Sequence, residues 1–452
     1  CAPFAISFHG VDGRLVPILR WAWSKSAESL TAAPVITPNA TGVDLQTETE
    51  VDFPEFLGPG RKVAISDIFL QRDWQEQSPE LLWRQPIGAG WSSFSIVNGF
   101  AVTLEQRGPN EVIVCYQVAD GQVMWAHSYA ARHDTVLGGL GPRSTPTIDD
   151  GRVYALGATG ILNCLDGADG KVIWSVHILE VAGLDVEQDR QLVSWGRAAS
   201  PLVIADSQLV VVPLGGPAEG PRYSLAAFDT DTGELRWRGG DQQIGYASPS
   251  LATICGIEQI VIVNESSVSG HRMTDGQTLW QAPWSGQSTG EANCSQAVAL
   301  PDDQVLLTNR RKSELLQLQR VDNDILEVES LWLGNNKLKT KFTNVVVHDG
   351  YIYGLSDGIL ECLELATGER QWKDRRGDFG HGQILQVGDL LIVQEEMGDI
   401  VAVELNPEKF VEVGRFTAFF EPARCWNTPA LYGSLLLIRN ASEAACYQLQ
   451  LR

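Results

Sequence analysis

Short apolar runs along this chain fold back on one another around glycine-containing turns. Residues 161–174, ILNCLDGADGKVIW, are two such runs joined by an Asp-Gly turn and closed by a tryptophan. The same arrangement returns at 112–125, VIVCYQVADGQVMW, and at 359–372, ILECLELATGERQW. Aligning on a glycine followed four residues later by tryptophan collects Gly121/Trp125, Gly170/Trp174, Gly233/Trp237, Gly276/Trp280 and Gly368/Trp372. Asp-Gly and Thr-Gly tolerate the positive φ that a tight two-strand reversal needs, so each copy predicts a β-hairpin. Trp332 ends a degraded copy in which Asp322-Asn323-Asp324 replaces the glycine turn, and the copy at 399–413, DIVAVELNPEKFVEV, has lost both markers.

A second strand–turn–strand element precedes each hairpin, as in STPTIDDGRVYALG (144–157), SPLVIADSQLVVV (200–212) and TPALYGSLLLI (428–438). There are eight of these, including weaker versions at 93–103 and 295–307. Each repeat is then four short antiparallel strands, the content of one β-propeller blade. The hairpins number seven, and a lone strand, EAACYQLQLR, ends the chain at 443–452. Its missing partner is PELLWRQPIG at 79–88, which has the strand and the tryptophan with no hairpin before it. The predicted fold is therefore all-β: an eight-bladed β-propeller over 76–452, closed by an N-terminal strand that completes the last blade and removes both free edges. The seven periodic tryptophans, Trp83 to Trp372, are expected as wedges between blades. Cys115, Cys164, Cys362 and Cys446 share one slot of the repeat and read as small core hydrophobes.

Blade geometry sorts the loops. Tight Asp-Gly turns emerge on one face, and the long insertions at 175–196, 214–223, 281–293 and 333–341 emerge on the other, where binding usually resides. At the start of each innermost strand, ringing the channel on that second face, stand Trp91, Arg143, Ala198, Tyr246, Cys294, Phe342, His381 and Trp426. Adjacent loops add Arg107, Arg197 and Lys341, with Trp195, Trp284 and Phe379. The expected binding set is Trp91, Arg107, Arg143, Arg197, Tyr246, Lys341, His381 and Trp426. An aromatic mouth with cations suits a planar anionic ligand or an extended peptide; the competing reading is a plug of side chains that closes the channel. No catalytic residue and no metal ligand is expected. Ser92, Ser144, Ser200 and Ser248 recur at one strand-start position and read as hydrogen-bonding turn residues. Glu105 and Arg107 read as an ion pair at the mouth or a weak surface pair. The cysteines lack C-x-x-C spacing, and no D-x-D-x-D-G calcium loop occurs.

The net charge of −22 argues against nucleic-acid binding, which needs clustered Lys and Arg. No apolar run approaches the roughly 18 residues of a spanning helix. Residues 1–75 lie outside the repeat as an N-terminal extension, and 31–55 is acidic, which favours a linker or an arm lying on the propeller. VPILRWAW at 16–23 suits a membrane surface or packing on a blade. Cys1 at the start fits either a processed lipoprotein or a fragment of a longer chain.

The repeat resembles the tryptophan-docking repeat of pyrroloquinoline-quinone (PQQ)-type eight-bladed propellers over about residues 76–452. GWSSFSIVNG, EQRG, FGHGQ and WNTPALYGSLLLIRN, with Asp12-Gly13 and Trp21/Trp23, are similar to a bacterial group of membrane-anchored PQQ-like repeat proteins. The resemblance implies an extracytoplasmic propeller at a membrane and leaves two classes. One is the quinoprotein dehydrogenases of alcohols and sugars, which hold PQQ and calcium and typically carry a vicinal Cys-Cys disulfide that is missing here. The other is non-catalytic and binds protein partners, as does the propeller lipoprotein of the outer-membrane β-barrel assembly machinery. The expectation is the second, with no cofactor.

Overall fold

The computed structural model describes residues 6–14, 16–21, 33–36, 42–74, 76–322, 325–375, 377–420 and 424–452. Eight four-stranded antiparallel sheets follow one another in chain order. Blade 1 is Ser95–Val97, Phe100–Arg107, Asn110–Gln117 and Val123–Ala130. Blade 8 is Ala430–Tyr432, Leu435–Arg439 and Glu443–Gln448, completed by Glu80–Pro86 from the N-terminal side. The expected closure is therefore present, with Cys446 opposite Trp83 in register. The first strand of blade 1 touches the first strands of blades 2 and 8, so the first strands ring the channel.

Neighbouring blades are tied at that ring by Ser200 and Ser248 of the recurring serines and by Thr145, one residue past Ser144. The Ser144 hydroxyl itself has no partner among the described residues, and Ser92 bonds within blade 1. Thr145 Oγ1 accepts from the Ser93 amide (2.9 Å), Ser200 Oγ from the Thr145 amide (2.9 Å) and Ser248 Oγ from the Ser200 amide (2.8 Å). These bonds satisfy backbone donors where the ladder has not yet begun.

The periodic tryptophans dock as predicted. Trp83, Trp125, Trp174, Trp237, Trp332 and Trp372 each donate their indole N–H to a backbone carbonyl near the next blade's outer turn, at 2.7–2.9 Å. A Cβ on Gly170 would sit 2.6 Å from the Trp125 ring, so that glycine is needed for its φ of +72° and for the indole lying on it. Trp280 differs. The next turn is the degraded one, and Trp280 bonds the Gln259 side chain of its own blade instead (2.6 Å). Asn323 and Asp324 of that turn lie outside the described residues. In blade 7 the wedge position is Gly414, opposite Ala402, and Trp74 from the N-terminal segment lies against it. A tryptophan from outside the repeat thus takes the place of the missing one. Cys115, Cys164, Cys362 and Cys446 face the wedge residues and are fully buried.

Residues 42–74 lie on the face of the tight turns. The Asn98 amide donates to Asp52 Oδ1 (2.9 Å), Phe53 bridges Ile96, and Ala64–Ile65 pairs in parallel with Gln386–Val387 as a fifth strand on blade 7. Arg61 reaches into the channel and donates to the carbonyls of Ser200, Pro201 and Pro249. On the opposite face, Ile6–Val11 and Pro17–Trp21 form a hairpin. Cys1 and Trp23 lie outside the described residues. No helix among the described residues is long and apolar enough to cross a membrane.

Candidate functional site

On the face of the long loops the channel opens into a cavity of about 260 Å³. Trp91, Arg143, Tyr246, Lys341 and Trp426 of the expected set line it, with Cys294 and Phe342 of the strand-start ring. Trp91 and Trp426 pack with ring centroids 4.8 Å apart, Phe342 meets Trp426 edge-on at 5.2 Å, and Trp195 packs on Tyr246 at 5.1 Å. Below them a polar belt of Ser248, Asn344, Gln383 and Thr428 leads to Phe56. His381 is buried behind Phe342, with ring centroids 5.5 Å apart. Burial lowers its pKa to about 4, so the imidazole is neutral at pH 7.

Arg107 and Arg197 do not join this wall. Strand Phe100–Arg107 is eight residues long. Arg107 stays on it in a buried pair with Glu105 (2.7 Å), whose carboxylate also accepts from the Gly88 amide and the Tyr116 hydroxyl. The pair is therefore neither at the mouth nor on the surface. Arg197 is pinned by Asp189 (2.5 Å) and by the carbonyls of Pro213 and Leu214, so it anchors the helix Val186–Leu192 within the 175–196 insertion. Trp284 and Phe379 are core residues: both are fully buried, because strand Thr278–Pro283 carries Trp284 inward and Phe379 bonds back to Gly358.

Arg310 and three further site residues were not singled out from the sequence. Glu396 sits in the turn between the second and third strands of blade 7 and is buried. It accepts from the Gly13 amide (2.6 Å), the His381 amide (2.8 Å) and the Trp426 indole (2.7 Å). Asp12, at the tip of the N-terminal hairpin, lines the cavity. Arg424 stands over both Trp91 (5.0 Å) and Trp426 (4.6 Å) and donates to the Val11 carbonyl. Only the register offered a signal for Arg424: two residues before Trp426 it occupies the place of Gly141, Gly196 and Ala292 in other blades.

The cavity is electropositive. Arg143 donates to the carbonyls of Gly138 (2.6 Å) and Gly141 (3.0 Å), and burial lowers its pKa to about 10. Lys341 donates to the Gly13 carbonyl, and burial, then the charge of Arg310, lowers its pKa. Arg310 also lines the cavity, and Asp12 is the one carboxylate there among the described residues. Calcium needs six to eight oxygen ligands, carboxylates prominent among them. With Glu396 already accepting from three donors, a calcium-held quinone does not fit this donor set.

Glu395, beside Glu396, gives a pH prediction. Burial, then Asp399, raises its carboxyl to about 7, although Arg415 lies 3.4 Å away. An acid whose folded pKa is raised contributes stability below its unfolded value near 4.5 and loses it as pH rises through the folded one. Wild type is expected to lose stability relative to Glu395→Gln between about pH 5 and pH 8. Urea midpoints of the two proteins test this, and a pH-independent difference would rule it out.

Fold and mouth together define a PQQ-type repeat propeller. Residues 109–374, more than half of the chain, match the PQQ_2 family, described as outer membrane protein assembly factor BamB, and the chain belongs to that family. Among solved structures, BamB from Moraxella catarrhalis is similar with a TM-score of 0.57 and 12% identity, over 82% of this chain and 97% of that one. A europium-containing methanol dehydrogenase aligns with a TM-score of 0.65 and 10% identity, over 88% and 98%. The quinohemoprotein alcohol dehydrogenase from Comamonas testosteroni gives 0.63 and 12%, over 88% and 80%. At such identities the likeness is one of fold. No curated protein matches the chain.

Proposed function

We propose that this chain is a non-catalytic, extracytoplasmic binding propeller that holds a protein partner by the loops of its mouth face and is held at a bacterial membrane through its N-terminal region. The observation that carries this reading is the chemistry of the mouth: Arg143, Arg310 and Lys341 line it with Asp12 as the one carboxylate among the described residues, whereas a calcium–quinone pair needs several oxygen ligands. The family description, an outer membrane protein assembly factor, supports an extracytoplasmic setting. Loops on a rigid ring are the natural place for a partner to dock. The second reading is a quinoprotein alcohol or sugar dehydrogenase with a divergent site.

Dye reduction on alcohols and aldose sugars, in the presence of PQQ and calcium, separates the two. The expected result is no turnover, together with capture of an extracytoplasmic protein that is lost when Trp426 and Arg424 are both replaced by alanine. Turnover dependent on both additions would establish the second reading instead.

A further inference from the structure

The mouth cavity combines features that neither the family nor a protein-binding role requires. Its volume, about 260 Å³, lies just under the roughly 300–1,000 Å³ of ordinary ligand pockets, a size for one small flat group and not for a long chain. Trp91 and Trp426 are tilted by 42° and Phe342 meets Trp426 at 63°, aromatic walls of the kind that hold a ring. Three cations share the wall with one carboxylate, Asp12. Arg143 is half-buried with backbone carbonyls as its hydrogen-bond acceptors, and a guanidinium has five N–H donors, more than these carbonyls use. The Glu111 carboxylate acts on this cation through space, but no carboxylate among the described residues bonds it. With Arg310 and Lys341 on the same wall, the excess of positive charge is one that an anion would offset.

We propose that this cavity is a metal-independent site for a carboxylate carried on a flat aromatic ring, the ring held against Trp91, Trp426 and Phe342 and the charge met by Arg143, Arg310 and Lys341. Two sources share that chemistry: a free aromatic acid, and the C-terminal carboxylate of a polypeptide ending in an aromatic residue. The inference goes beyond the protein-docking reading and stands without it, since small probes test it with no partner present.

Calorimetric titration of the full chain with 2-naphthoate, in EDTA, is the direct test, with 2-naphthylmethanol as the uncharged counterpart. The acid is expected to bind saturably at one site, and the alcohol about tenfold or more weaker. Arg143→Gln should weaken the acid about tenfold and leave the alcohol unchanged. Arg310 is exposed, so Arg310→Gln leaves folding intact and should weaken the acid about threefold. A Gly-Gly-Trp peptide with a free or an amidated C-terminus separates the sources. Tighter binding than naphthoate, lost on amidation, points to a polypeptide end; the reverse order points to a free acid. Equal affinity for acid and alcohol, a requirement for calcium, or binding of neither acid nor peptide would overturn the proposal. None of these outcomes bears on dye reduction or on partner capture.

Discussion

Arg439→Met is expected to lower the unfolding free energy by about 3–5 kcal/mol, because it opens the seam where the two ends of the propeller meet. Arg439 lies on the second strand of blade 8 and is 1% exposed. It donates to Thr103 Oγ1 (2.8 Å) and the Leu104 carbonyl (3.2 Å) of blade 1, and to the Gly88 carbonyl (2.9 Å) of the link that leads into blade 1. The chain runs across every blade-to-blade junction, here through residues 87–94, and the break in chain order lies inside blade 8. Here a strand from the N-terminal side must pair with the end of the chain, and the fork of one guanidinium joins both pieces. Burial lowers the pKa of Arg439 to about 10, with the charge of Glu105 opposing the shift, so the group is still a cation at pH 7. Methionine fills similar space but leaves the Gly88 and Leu104 carbonyls short of a donor and Glu105 short of a facing charge. Arg439→Lys keeps the charge and loses the fork, so its cost should be smaller. Urea unfolding gives the stabilities, and amide exchange over Glu80–Pro86 shows whether the closing strand opens first. A methionine variant with an unchanged midpoint would mean that strand pairing alone closes the ring.

The ring was legible in the sequence because a blade is a local object. Each hairpin, its glycine turn and its tryptophan lie within about fifteen residues, so spacing alone reports them. Closure was legible for the same reason: the strand around Trp83 and the strand around Cys446 were each half of a repeat. What remained hidden comes from residues brought together across the channel or from outside the repeat. Trp74 fills the wedge site at Gly414 from more than 300 positions away. Arg107 and Arg197 were placed at the mouth by loop position, but acidic partners in the fold, Glu105 and Asp189, draw them into buried pairs. Trp91, Arg143, Tyr246 and Trp426 were found because the strand-start register recurs from blade to blade. Glu396 and Asp12 were not, because one lies on a different turn of its blade and the other precedes the repeats entirely.

Glu396→Gln is expected to cost about 2–4 kcal/mol and to release the N-terminal hairpin from the mouth. The Glu396 carboxylate holds three donors at once: the amides of Gly13 and His381 and the indole of Trp426. Glutamine keeps one acceptor oxygen and turns an NH₂ toward donors, so at least one of these contacts becomes a clash of like groups. Exchange of the Gly13 amide should then rise about tenfold or more, while Glu395→Gln next door leaves it protected. The same latch is reached from the other side through Gly13, where an added Cβ would stand 2.1 Å from His381 Cδ2. Gly13→Ala should therefore lift the hairpin as well, and His381→Ala should restore it by clearing the space. The double substitution is then expected to cost less than the two single costs combined. Simple additivity would show that Gly13 and His381 do not meet in solution. Continued protection of Gly13 in the glutamine variant would shift the latch to other anchors: the Lys341 bond to the Gly13 carbonyl, the Arg14–Asp378 pair and the Arg424 bond to Val11. The hairpin tip also carries Asp12, the one acid lining a cationic cavity among the described residues. Loosening the latch therefore takes an internal anion away from Arg143, Arg310 and Lys341, and the affinity for 2-naphthoate should rise in the glutamine variant as its stability falls.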